Sequence, residues 1–333
     1  MLTITLLKEH AEGRWQSKAL ESLPSEISNN ETLWVDAQGW TEDEIKELKD
    51  YFKLDEQTIQ DLTKEGARSR IDELEDRIFC SLNYPNRDHF IANGKMSWIS
   101  MLVCSRWIIT MHEGYSEVTC EVFKKISTHG YFSLSLIPST DIMLYIFLDS
   151  TIGMYFPVLD LAFENIEALN REAFGFFRDR PDRVDRSFIV KVAGLRDKLF
   201  ILRQSLSPLR GIASRITRGE FALIRGVTLP LFGNFYDKTI QLLDAVEAHR
   251  EEINNIGDIL VNVQTVTTNN IIRILTIISA IFLPLTLIAG LYGTNFTAGV
   301  PAISSPIGFY VLIVVMIIIA ISLTVLFKLR KWF

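Results

Sequence analysis

The chain has 333 residues, 48% hydrophobic and 22% charged, with 34 Lys and Arg against 40 Asp and Glu for a formal charge of −6. An acidic balance with no basic patch argues against nucleic acid as a partner. The 3 cysteines, Cys80, Cys104 and Cys120, show no CxxC spacing and read as buried apolar residues of a reducing compartment.

The N-terminus, Met1-Leu2-Thr3-Ile4, lacks the basic stretch and long apolar run of an export signal, so the first domain is expected to stay in the cytoplasm. Residues 1–138 read as an α/β domain. Leu33–Asp36, Ile78–Leu82, Ile99–Cys104 and Trp107–Met111 are rich in β-branched and aromatic side chains and are expected as strands. Thr41 with Glu44 three residues on has the form of a capping box, and Asp55 opens a second helix. Strands alternating with helices predict a mixed sheet covered by helices.

After Pro138 the pattern is helical. Two long helices, Thr140 to about Phe174 and Val184 to about Arg218, are expected as a hairpin within 139–229. A third starts near Pro230 and meets no further proline until Pro284. Continuous to Tyr292, it would run ~90 Å at 1.5 Å per residue, a stalk too long for one small domain.

From Ile274 to Phe327 there is no Asp, Glu, Lys, Arg or His. An apolar helix needs about 20 residues to cross a bilayer, so this run predicts two spans, 274–292 and 307–327, joined by the loop 293–306. Arg273 precedes the first span, and Lys328, Arg330 and Lys331 in the tail 328–333 follow the second. Basic flanks mark the cytoplasmic side, which puts both termini inside and only the loop outside.

One face of the stalk and first span carries a heptad stripe. Asn269, Thr276, Leu283 and Gly290 form one row; Ile272, Ser279, Thr286 and Gly293 form the other. Small and hydroxyl residues can also pack spans tightly against each other. Here the polarity continues toward the N-terminus through Thr265, Asn262, Asp258, Asn255 and Glu251, which suits helices surrounding water. Asp258 is the candidate for meeting ions below the membrane.

The five histidines, His10, His89, His112, His129 and His249, lack metal-ligand spacing, and no phosphate loop, nucleophile elbow or HExxH motif is present. An enzyme is not expected, and no cofactor is implied.

Tyr292-Gly293-Thr294-Asn295-Phe296, closing the span Leu275–Gly290, resembles the CorA family of divalent-cation channels, as does the ending Lys331-Trp332-Phe333. Phe235-Tyr236-Asp237-Lys238-Thr239-Ile240-Gln241 and Arg68-Ser69-Arg70-Ile71-Asp72 are similar to family segments upstream. The resemblance implies a funnel-shaped homopentamer in the inner membrane, with the first span lining the pore. It implies a selectivity filter at Gly293, Thr294 and Asn295, where the Asn295 amide oxygens would meet a hydrated Mg2+. Ile272, Leu275 and Leu283 would form apolar constrictions.

Two features depart from the family pattern. Thr294 stands where the filter motif has methionine, and Phe296–Pro301 lacks an acidic residue. Its Gly299-Val300-Pro301 resembles the zinc-transporting ZntB branch, so a zinc transporter coupled to protons is the alternative to Mg2+ uptake. Against zinc, residues 274–327 hold no His or Cys. The resemblance also implies a regulatory Mg2+ site at Glu75, Asp76 and position 234, where the family's aspartate is here Asn234. A non-conducting membrane-anchored sensor or scaffold is the rival from another class.

Overall fold

The computed structural model describes residues 2–9, 15–28, 30–127, 139–179, 186–294, 306–330 and 332. The chain divides into two compact units, Met1–Asn170 with Ser187–Asn255 and Arg171–Arg186 with Ile256–Phe333.

The first unit is built on a mixed 7-stranded sheet. Its strands are β1 (Leu2–Glu9), β2 (Trp15–Leu20), β3 (Glu31–Gln38), β4 (Arg70–Leu74), β5 (Arg77–Pro85), β6 (Met96–Val103) and β7 (Trp107–His112), in the order β2-β1-β3-β7-β6-β5-β4. β3 and β7 pair in parallel with Val35 opposite Ile109, and every other pairing is antiparallel. Thr32 to Ala37 are all buried, because helices cover both faces at this parallel pair.

Helices α1 (Glu42–Phe52) and α2 (Glu56–Thr63) cover one face, placing Leu48, Phe52, Ile59 and Leu62 against Leu33, Val35, Leu102 and Ile109. Their starts are fixed as the sequence predicts. Thr41 and Glu44 exchange side chain-to-backbone bonds, and Asp55 Oδ1 accepts from the Thr58 N–H at 2.6 Å. Two further helices, α3 (Arg87–Asn93) and α4 (Glu117–Ser127), were not expected; Asn86 caps α3 by accepting from the His89 N–H. Cys120 on α4 is exposed, not buried as its type suggests, whereas Cys80 and Cys104 are buried.

The expected single helix from Thr140 is two: α5 (Thr140–Gly153) and α6 (Tyr155–Asp179). Pro157 explains the break, since it has no N–H to offer the Gly153 carbonyl and its ring crowds that oxygen. α5 is apolar enough to resemble a membrane span, yet Thr140 to Ile152 are all buried, packed against α4 and β5–β7. Phe147 meets the Trp34 ring edge-on at 5.6 Å. The segment that begins the expected hairpin is therefore a core helix of the sheet domain.

The remaining helices are α7 (Arg186–Thr217), α8 (Leu229–Tyr292) and α9 (Pro306–Leu329). α8 is a single helix of 64 residues with Pro284 inside it. Its start is anchored through Asp141 on α5. That carboxylate accepts from Arg225 Nε at 2.9 Å, Arg225 Nη2 at 3.1 Å, the Arg225 N–H at 3.2 Å and Thr228 Oγ1 at 2.8 Å. Ser139 Oγ and the Ile142 N–H add further donors.

Burial pushes the Asp141 carboxyl up, but the bonds from Arg225, Ser139 and Thr228 and the guanidinium charge outweigh it, holding it below the usual carboxylate range. A lowered carboxylate pKa contributes stability that is full above the unfolded value, about 3.9, and is lost as pH falls through the folded value. Arg225→Ala strips the carboxylate of its charged partner and raises the folded value. The variant is expected to lose about 3 kcal/mol of stability at neutral pH and to begin acid unfolding at a higher pH than the parent, read by thermal and acid titration of tryptophan fluorescence.

Candidate functional site

In the second unit, α8 is covered along one narrow strip. Ile256, Leu260, Val263 and Ile277 are buried, and Ala280, Ile281, Pro284, Leu285, Ile288 and Tyr292 are half-buried. Asn269, Ile272, Leu275, Thr276, Ser279, Leu283, Thr286, Gly290, Gly293 and Thr294 are all exposed. At 3.6 residues per turn, the rows through Thr276, Ser279, Leu283 and Thr286 lie about 180° around the helix from the covered face. The predicted pore-lining residues are exposed, as are Ile274, Ile278, Phe282, Leu287 and Leu291 beside them, and Asp258 is also exposed. α9 shows a comparable division, with Leu312, Met316, Ile319, Leu323 and Phe327 half-buried and Ile307, Phe309, Ile317, Ile318 and Ile321 open.

The stripe is polar without being charged, and its threonine hydroxyls are satisfied by the helix that carries them. Thr276 Oγ1 donates to the Ile272 carbonyl at 2.8 Å, Thr286 Oγ1 to Leu283 at 2.9 Å and Thr294 Oγ1 to Leu291 at 2.7 Å. Folding the hydroxyl proton back onto a carbonyl lets threonine sit in an apolar span without an unmet donor. The oxygen lone pairs stay available on the open side, as acceptors for water or for a cation's hydration shell. Between them Ile272, Leu275 and Leu283 offer only hydrocarbon, with Leu275 and Leu283 62% and 69% exposed.

At the end of α8 the chain narrows onto Gly293. A Cβ there would stand 3.2 Å from the Ala289 carbonyl oxygen, tighter than ordinary packing. The Gly293 N–H still donates to that oxygen at 2.9 Å, and the Thr294 N–H reaches Leu291 at 3.4 Å. Glycine at this position lets the helix close its last turn before Thr294. Asn295, the third predicted filter residue, and the loop bearing Gly299-Val300-Pro301 lie outside the described residues.

The predicted regulatory residues belong to the first unit. Glu75 and Asp76 form the two-residue turn between β4 and β5, with Glu75 in the left-handed region at φ 48°. Asp76 Oδ1 pairs with Arg77 Nε at 3.3 Å. Asn234 is exposed in the second turn of α8. Among the described residues, no group of three or more His, Cys, Asp or Glu side chains could hold a metal ion within one chain. The sequence reading passed over Asp141 and Asp149 on α5. Their signal was present: lone carboxylates in a run as apolar as Thr140–Ile152 must be paired if that run is buried.

A family model described as "CorA-like Mg2+ transporter protein" matches residues 29–331. The cobalt/magnesium transport protein CorA of Thermotoga maritima is 27% identical over 313 residues, covering 93% of this chain and 86% of that one. The zinc transport protein ZntB of Pectobacterium carotovorum is 23% identical over 142 residues, 43% of each chain. Among solved structures, the CorA magnesium transporter of Methanocaldococcus jannaschii superposes with a TM-score of 0.83 at 21% identity, covering 99% of this chain and 98% of that one. That likeness shows the expected fold class: an α/β domain, a long helix and C-terminal apolar helices.

The apolar constriction expected at Leu283 is open to direct test. Leu283→Asp places a charge on the open stripe and hydrates it, so vesicles carrying the variant are expected to leak monovalent cations at least about tenfold faster than the parent, measured by dye efflux. A variant as tight as the parent would assign the constriction elsewhere.

Proposed function

This chain belongs to the CorA-like Mg2+ transporter family, and from that premise we propose that it carries Mg2+ into the cell through a pore formed by the α8 stripes of five identical subunits. The observation that supports this reading is the uncharged stripe of back-bonded hydroxyls opposite the covered face of α8. A hydrated dication passing such a surface can exchange hydrogen bonds with oxygen acceptors through its own waters and meets no fixed carboxylate to trap it. Asp258 would concentrate cations at the cytoplasmic end, and five Asn295 amides with Thr294 and Gly293 would select at the outer end. The α8 and α9 spans would cross the inner membrane with both termini cytoplasmic.

Mg2+ suits this lining because residues 274–327 contain no imidazole or thiolate, the ligands that borderline metals favour. A proton-coupled zinc mode is the second reading, supported by the ZntB relative and the Gly299-Val300-Pro301 loop. Flux into proteoliposomes separates them. Mg2+ entry driven by membrane potential alone is the expected result, with Asn295→Ala abolishing selectivity while the oligomer stays intact. Zn2+ entry that needs a pH gradient would instead favour the second reading, and no cation entry at all would favour the non-conducting sensor.

Regulation by cytoplasmic Mg2+ should be weak. Asn234 offers a neutral amide where a carboxylate would draw a hard dication, leaving Glu75 and Asp76 as the acids of such a site. Asn234→Asp is expected to make transport about tenfold more sensitive to inhibition by cytoplasmic Mg2+. Sub-millimolar inhibition of the parent protein would contradict this.

A further inference from the structure

Helix α5 sends two buried carboxylates toward the segment that starts α8, and the two are held differently. Asp141 is enclosed by donors from Arg225, Thr228, Ser139 and its own helix. Asp149, two turns further on, stands between two ammonium groups. Lys125 Nζ of α4 lies 3.0 Å from Oδ2, and Lys238 Nζ of α8 lies 2.5 Å from Oδ1. Lys125 Nζ also donates to Ser150 Oγ at 3.0 Å. The side chains of Asp149 and Lys125 are 3% and 10% exposed, whereas that of Lys238 is 39% exposed.

Removing the charged partner of a buried carboxylate is strongly unfavourable when nothing replaces it. Asp149 is protected from that cost, because Lys125 remains on its other oxygen when Lys238 departs. Lys238 already has part of its length in water and can complete its hydration by a change of rotamer. The Lys125–Asp149 pair is thus a fixed element, and the Lys238 arm is one that can open at low cost.

We propose that the Asp149–Lys238 pair is a releasable latch that positions α8 for transport. Closed, it holds the first turns of α8 to α5; open, it lets them move about the connector that Asp141 anchors at Arg225 and Thr228. Lys238 is nine residues beyond Leu229, about 14 Å along the helix, so the latch acts well clear of that anchor. The helix it restrains is the one whose far end carries the open stripe. Lys238 is in this sense a positioning residue, and the inference rests on the transport reading above.

Hydrogen exchange and vesicle flux on the assembled full chain test it together, with Lys238→Met and Lys238→Arg. In Lys238→Met, the amides of residues 229–245 are expected to exchange about tenfold faster while β3, β5 and β6 keep the parent's protection. Cation flux is expected to change by about fivefold, and Lys238→Arg should restore both readouts. Parent-like exchange in Lys238→Met, or loosening spread equally through the sheet, would overturn the latch. Faster exchange of α8 with unchanged flux would overturn its positioning role. Parent vesicles without any cation flux would instead remove the transport reading and this role with it, whereas a conducting parent with an unmoved Lys238→Met removes the latch alone.

Discussion

One backbone has to satisfy two solvents. α8 runs from Leu229 to Tyr292 without interruption, beginning among the packed side chains of a sheet domain and ending in a stretch with no Asp, Glu, Lys, Arg or His. Within hydrocarbon, every N–H and carbonyl must be paired inside the helix, and every side-chain donor needs a partner nearby. The threonines of the stripe meet that demand by bonding to the carbonyls of the preceding turn. Polarity is thereby presented on one face at no cost in unmet donors. The opposite face, with Ile277, Ile281, Leu285 and Ile288, is left to ordinary apolar packing.

The other end of the helix is held by polar contacts buried in an apolar setting. α5 fills the space under β5–β7 with Ile142, Leu144, Ile146 and Phe147, and it would pass for a membrane span by composition. What marks it as a core helix is that it is surrounded by the sheet and α4, and that its carboxylates have cationic partners waiting on α8 and its connector. These pairs add little net stability over a hydrophobic substitute, but they fix which surface of α8 faces α5.

The sequence made some of this legible and hid the rest for identifiable reasons. The two spans stand out because a charge-free run has few other uses, and the heptad rows are visible in the sequence itself. The central strands β3, β5, β6 and β7 were legible because they are buried and rich in Val, Ile, Phe and Trp. Edge strands were not: β4 reads Arg-Ile-Asp-Glu-Leu and buries only Ile71, so its composition is that of a loop. The break after Gly153 was overlooked because α5 and α6 continue one another in apolar pattern, and only Pro157 betrays it. At the site, the stripe was visible as a pattern, whereas its position opposite the covered face required knowing which side of α8 is packed. Arg225 and Lys238 lie more than 80 residues from Asp141 and Asp149 in sequence, beyond the reach of any local pattern.

We propose that the stripe on α8 faces a hydrated path in the assembled protein. Single cysteines placed along residues 276–290, in a chain whose exposed Cys120 has been replaced by serine, test it most directly through their reaction with a membrane-impermeant thiol reagent in sealed vesicles. Fast modification is expected at positions 276, 279, 283, 286 and 290, slow modification at 277, 281, 285 and 288, with protection of the fast set by Mg2+. Uniform inertness, or reactivity on the covered face instead, would contradict it.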